Sequence, residues 1–227
     1  MNMKGNRNIT LCFIGPPGSG KGTQTRMLAK AMGFKVIEVG DCLRDLSKTR
    51  SALGRKIKSY VEKGKIVPVG IIENVLTKEV KKIKRGQPLI FDGFPRTKKQ
   101  VKVLEKILKA NKRSFDDFYL VYISLPLKEA VSRLRKRRMC EKCESIFING
   151  VTIPKGSKIC PLCHGKIIRR SDDKPEVIRK RFQVYKKQTE PVLDYYKGTD
   201  KIIKINGNQP PEAVFKEIKK NLKQKIG

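Results

Sequence analysis

The sequence predicts an α/β fold, a doubly wound five-stranded parallel sheet flanked by helices and carrying one cysteine-rich insertion. Three observations lead to this expectation. Five short β-rich runs fall at 9–14, 35–39, 89–91, 119–124 and 201–205, and the stretches between them have helical periodicity. Strands alternating with amphipathic helices pack as a parallel sheet covered by those helices. A glycine-rich turn follows the first run directly, and the stretch 137–174 departs from the helical pattern with four cysteines and several turn residues.

Taken in order, the first run leads into Gly15-Pro16-Pro17-Gly18-Ser19-Gly20-Lys21-Gly22-Thr23, and Met27 and Leu28 fall on one face of the helix expected next. Val101, Leu104, Ile107 and Leu108 repeat at helical spacing with lysines between them. Pro126 suits a helix start, and the inner face of that helix would carry Ala130, Val131 and Leu134. Asp172, Asp173 and Pro175 read as the N-cap and first turn of a basic helix reaching about Tyr185, with Pro191 marking a break or bend. Val214, Ile218 and Leu222 share one face of a C-terminal helix, which is expected to dock and to fray at its end. The insertion at 137–174 reads as a minidomain.

A chain of 227 residues suits one compact domain with an insertion. Its 53 Lys and Arg against 21 Asp and Glu give a formal charge of +32, which draws in anions such as nucleotides, RNA or acidic membrane surfaces. The polar, basic start at 1–8 and the short apolar run after it suit neither an export signal nor a membrane span, so a cytoplasmic location without membrane association is expected. Lysines are scattered through every expected helix, aromatic residues make up 7% and tryptophan is absent. That pattern lacks the stacking platforms of single-strand binders, so no obligate nucleic-acid partner is expected beyond non-specific polyanion binding. A basic zinc-ribbon nucleic-acid-binding protein stays open as the reading from a different class.

The glycine-rich turn carries the most specific chemistry. Gly15 and Gly20 bracket four residues, Lys21 follows, and Gly22 stands before the hydroxyl residue Thr23, a variant of the phosphate-binding loop. Glycines at 18, 20 and 22 let backbone N–H groups, with Ser19, turn toward phosphate oxygens. The helix N-terminus adds partial positive charge, Lys21 can bridge the β- and γ-phosphates, and Thr23 can serve the magnesium shell or a phosphate. Cys140 and Cys143 are two residues apart, as are Cys160 and Cys163, with sixteen residues between the pairs. Four cysteines in that spacing predict a closed structural zinc site, which would stabilise an insertion too small for a strong core.

Asp92-Gly93-Phe94-Pro95-Arg96-Thr97-Lys98-Lys99-Gln100 follows the third run and sets a carboxylate, an arginine and an amide at the carboxyl edge of the sheet, where open α/β sheets bind ligands. With the loop at 15–24 and Gly40-Asp41-Cys42-Leu43-Arg44, this stretch resembles the nucleoside monophosphate kinases, and adenylate kinases in particular, from Ile9 to about Leu222. The resemblance implies magnesium-dependent reversible phosphoryl transfer between ATP and AMP, yielding ADP, by a monomer. It also implies a P-loop core at 1–37, 68–136 and 175–227, an NMP-binding segment at 38–67 and a zinc-binding lid at 137–174, with Asp172 and Asp173 flanking the hinge back to the core.

On the same likeness, Arg44 and Arg96 clamp the AMP phosphate, Gln100 meets the adenine edge, and Lys65, Ile66 and Val67 supply backbone contacts. Gly93, Phe94 and Pro95 belong to the AMP set, as does Val39, which stands where these enzymes usually carry threonine. Asp92 orients magnesium-bound water. Arg133, Arg137, Arg170 and Arg181 converge on ATP and the migrating phosphoryl group, Arg170 and Arg181 reaching AMP as well. Ile146, Phe147 and Gln209 lie by the ATP base. Because Val39 has no hydroxyl for the adenine amino group, UMP or CMP as acceptor and GTP as donor stay open.

Overall fold

The computed structural model describes residues 8–84 and 86–226, so all of the basic start at 1–8 except Asn8 lies outside the described residues. Five parallel strands form the main sheet in the order β2-β3-β1-β4-β8. They are β1 (Thr10–Ile14), β2 (Lys35–Glu38), β3 (Leu89–Asp92), β4 (Phe118–Ser124) and, last in the chain, β8 (Ile202–Asn206). The central strand pairs Thr10 with Leu89 on one side and with Phe118 on the other. All five expected runs are strands. Only their ends move: β2 stops at Glu38 because Val39 already opens helix α2.

Every residue of β1 is buried, and its side chains alternate between two cores. Cys12 and Ile14 join a cluster with Phe91, Leu104 and Leu120, whereas Leu11 and Phe13 join one with Leu28, Val121 and Ile218. This period of two is what a strand covered on both faces requires. Helices α2 (Val39–Lys48), α3 (Ala52–Val61), α4 (Val69–Lys81) and α5 (Lys98–Ala110) bury apolar residues in the first cluster. Helix α1 (Lys21–Met32) contributes Leu28 to the second, as the C-terminal helix α9 (Pro211–Ile226) contributes Val214, Ile218 and Leu222. Helix α6 (Leu127–Lys136) follows Pro126 and buries Ala130 and Leu134.

The insertion is a second, antiparallel sheet of order β6-β5-β7, made of β5 (Arg137–Cys140), β6 (Ile146–Ile148) and β7 (Ile167–Ile168). Its apolar core is small, with Phe147, Ile153 and Ile167 gathered around Cys140 and Cys160. The chain then makes a 3₁₀ turn at Ser171–Asp173 before helix α7 (Pro175–Val184). Here the sequence expectation needs correcting. The N-cap of α7 is Lys174, which makes no side-chain cap, and Asp172 and Asp173 turn inward toward arginines. An ion pair to a buried guanidinium is a stronger partner for a carboxylate than an N-terminal amide. The basic helix continues past Val184 as a π turn, Tyr185–Thr189, and restarts after Pro191 as α8 (Val192–Tyr195).

Among the described residues no helix is long and apolar enough to cross a membrane. Leu11 is fully buried in the central strand. Replacing it with alanine is expected to cost about 2–5 kcal/mol in a urea titration, with the slope of the transition unchanged.

Candidate active site

The loop after β1 brings Lys21 back over its own backbone. Its Nζ donates to the carbonyls of Gly15 and Pro16 at 2.8 and 2.9 Å and to Ser19 Oγ at 3.3 Å. Gly20 caps α1 with φ 89°, a left-handed conformation that glycine adopts without steric cost, and no side chain caps the helix. The first N–H groups of α1 are therefore left to a ligand, and the helix dipole favours an anionic one. Burial lowers the Lys21 ammonium to about 7, against the pull of Asp92 and with help from Arg96, Arg181 and Arg137.

Asp92 ends β3 beside this loop, where burial raises its carboxyl against the pull of Lys21 and Arg96. Gly93 follows with φ 73°, and a Cβ there would stand 2.7 Å from Arg96 Nη2. Arg96 Nε donates to the Gly93 carbonyl at 2.6 Å, and the Arg96 N–H donates to Gln100 Oε1 at 2.7 Å. Thr97 caps α5 by accepting from the Gln100 N–H, so the segment is braced at both ends. On α2, Arg44 is ion-paired to Asp41. Burial and the neighbouring Asp41 carboxylate push Glu38 up to about 7 despite its pairing with Arg26. Asp41 is itself desolvated, yet Glu38 and Arg44 hold it down to about 2.

Three arginines meet two carboxylates where the insertion returns to the sheet. Arg137 forks onto Asp173 at 2.6 and 2.7 Å, and Arg170 forks onto Asp172 at 3.0 Å through both Nε and Nη2. Arg181 Nη1 reaches Asp172 Oδ2 at 3.1 Å and Asp173 Oδ1 at 3.3 Å. Burial alone would raise the Asp172 carboxyl, but Arg181, Arg170 and Arg137 hold it well below the usual carboxylate range. Burial, with Arg170 beside it, lowers Arg137 to about 10.

These groups line one cavity of about 740 Å³ between the sheet edge, α2 and the insertion. Of the residues expected from sequence, its walls include Gly18, Ser19, Gly20, Lys21, Gly22, Thr23, Arg44, Lys65, Ile66, Asp92, Gly93, Arg96, Arg133, Arg137, Ile146, Arg170, Arg181 and Gln209. Val39, Val67 and Phe94 are instead packed into the apolar core, and Phe147 into that of the insertion. Pro95 is buried and Gln100, 2% exposed, lies behind Arg96. Arg133 bridges Glu129 and the Gly207 carbonyl, tying α6 to the loop that holds Gln209.

Sequence reasoning missed Asp172 and Asp173 as arginine partners, as well as Arg26 and Glu38, which also line the cavity. Adjacent carboxylates just after Arg169-Arg170, in a chain so poor in acids, were a signal for the first pair. Nothing in the spacing of Arg26 and Glu38 announces theirs.

The four cysteine sulfurs lie within 4.8 Å of one another. Sγ–Sγ separations of 3.4 Å for Cys140 and Cys163 and 3.7 Å for Cys143 and Cys160 approach the edge of about 3.8 Å in a tetrahedron with Zn–S bonds of about 2.3 Å. The donor set fits zinc.

Comparison with known proteins agrees with this geometry. The family model described as adenylate kinase matches residues 13–201. The chain is 40% identical to an adenylate kinase of Petrotoga mobilis, over 92% of this chain and 95% of that one. It is 38% identical to one of Methanothrix thermoacetophila, over 94% and 98%, and 35% identical to one of Archaeoglobus fulgidus, over 92% and 96%. With a phosphate loop, an arginine-lined cavity and a likeness that spans nearly its full length, the chain belongs to the adenylate kinase family.

Proposed function

We propose that this chain catalyses ATP + AMP = 2 ADP as a cytoplasmic monomer, with magnesium on the donor nucleotide and structural zinc in the four-cysteine insertion. The observation that carries this reading is the single cavity onto which Lys21, Arg44, Arg96, Arg137, Arg170 and Arg181 all open. Residues 38–67 then act as the acceptor segment, 137–174 as the lid, and the remainder as the core.

In this reading the donor phosphates lie against the N–H groups at the start of α1, and Lys21 exchanges its carbonyl partners for β- and γ-phosphate oxygens. Arg133, Ile146 and Gln209 flank the donor base and ribose. Arg44 and Arg96 take the acceptor phosphate, and Lys65 and Ile66 border the acceptor nucleoside. Charge in the transition state spreads over three equatorial oxygens, so guanidinium groups already aimed by Asp172 and Asp173 stabilise it with little reorganisation. Asp92 and Thr23 are the residues that would hold the magnesium shell. Magnesium, when bound, neutralises charge on the β- and γ-phosphates.

A coupled assay with ATP and AMP, UMP, CMP or GMP in turn tests the assignment. Turnover is expected with AMP, and its loss in EDTA; preference for another monophosphate would move the acceptor while leaving the reaction class, and no turnover would sink the proposal. Lys21→Met is expected to lower kcat by about 10³-fold with an unchanged circular dichroism spectrum.

Zinc is expected at one ion per chain by atomic emission. Cys140→Ser should lose it and melt roughly 5–10 °C lower, with modest loss of activity in the cold. Proton linkage offers a further check. In the empty site Lys21 is mostly neutral above about pH 7. Anionic phosphates would restore its charge, so ATP binding should take up a proton between about pH 7 and 10 and weaken as pH rises through that range. Calorimetry in buffers of different ionisation enthalpy reads this uptake directly, and Lys21→Met should abolish it.

A further inference from the structure

Arg26 lies on α1, the helix that begins in the phosphate loop, yet its guanidinium is engaged by two other parts of the molecule. Nε and Nη2 fork onto the Glu38 carboxylate at 2.8 and 2.9 Å, at the junction of β2 and α2. The remaining nitrogen, Nη1, donates to the main-chain carbonyl of Glu144 at 3.3 Å, across the cavity in the insertion. One side chain thus touches the donor helix, the acceptor segment and the lid.

Both ends of this bridge are held. Glu144 directly follows Cys143, has a left-handed φ of 56° and donates its N–H to the Cys140 carbonyl at 3.0 Å. The carbonyl that Arg26 grips therefore belongs to the cysteine turn itself, the part of the lid a bound metal would make rigid. On the other side Glu38 is the N-cap residue of α2, and Asp41, in the first turn of that helix, is the ion-pair partner of Arg44. Side-chain contacts run from the cysteine turn through Arg26 to Glu38, and the first turn of α2 carries the path on to Asp41 and the arginine assigned to the acceptor phosphate. A forked guanidinium–carboxylate pair constrains orientation as well as distance, so lid position and the start of α2 are not independent.

We propose that Arg26 is a positioning residue that couples the lid to the acceptor side of the cavity, so that occupancy of the donor site tightens binding of the acceptor. The proposal rests on the reading of the cavity as a site for ATP and AMP. By linkage, the factor by which donor occupancy strengthens AMP binding equals the reciprocal effect of AMP on the donor. Glu38 and Arg26 touch neither reacting atom in this scheme and act only through α2 and the lid.

Titration calorimetry measures the AMP dissociation constant with and without magnesium and the non-hydrolysable β,γ-imido analogue of ATP. The wild-type protein is expected to bind AMP at least fivefold more tightly with the analogue present. In Arg26→Gln that ratio should fall to within twofold of one, with analogue binding by itself little changed. Arg26→Lys keeps the charge but cannot fork on Glu38 and reach Glu144 together, so it should lose most of the coupling as well. Glu38→Gln tests the other end, and adding it to Arg26→Gln should cause no further loss of the ratio. A merely structural ion pair would lower the melting temperature and leave the ratio intact. A wild-type ratio near one, or a full ratio in folded Arg26→Gln, would overturn the proposal while leaving the reaction untouched. Failure of the wild-type protein to bind either nucleotide would overturn the functional reading and this coupling together.

Discussion

Electrostatic compensation at Asp172 and Asp173 is the constraint on which the cavity depends. Seven arginines and three lysines around one space would repel one another and draw water between them. Two buried carboxylates hold three of those arginines in fixed directions and supply negative charge from behind, leaving their remaining N–H groups for a ligand. An arrangement of this kind carries a stability cost in desolvated ions, which the two apolar cores on either side of the sheet must offset. The deep burial of β1, with alternate side chains feeding opposite cores, provides the stiff edge from which the phosphate loop projects.

The insertion obeys a different balance. Three short strands around Phe147, Ile153 and Ile167 bury little apolar surface, and Cys140 and Cys160 sit within that core while Cys163 is half-buried against it and Cys143 is exposed. A metal at this point would supply cohesion that packing does not. Arg133, Arg137 and Arg170 stand near its junctions with the sheet, so the placement of their charge depends on how the insertion sits.

Much of this was legible in the sequence because strong local signals agreed with one another. Apolar runs gave all five strands of the main sheet to within a residue or so, and the loop from Gly15 to Thr23 could serve little else once a strand preceded it. The cysteine spacing foretold the compact sulfur cluster. Tertiary pairing was harder to read. Asp172 and Asp173 look like a helix cap because a cap needs only local sequence, whereas their arginines come from β5, the turn before α7 and α7 itself. Arg26 and Glu38 are twelve residues apart and meet only because α1 and β2 are brought together by the sheet. Val39, Val67 and Phe94 were assigned by motif position to the ligand side, and their side chains pack into the core, so a contact from them would run through the backbone, as was expected of Val67. A motif fixes the path of the backbone more firmly than the direction of every side chain along it.

The ion pair between Arg137 and Asp173 has an architectural consequence. These residues stand at the entrance and exit of the insertion, and their pairing keeps the two chain ends adjacent whatever lies between them. The closure entropy of the intervening loop is then borne locally, and it grows only slowly with length. The segment between those two clasps can consequently lengthen or shorten at small cost without redrawing the chain path through the sheet.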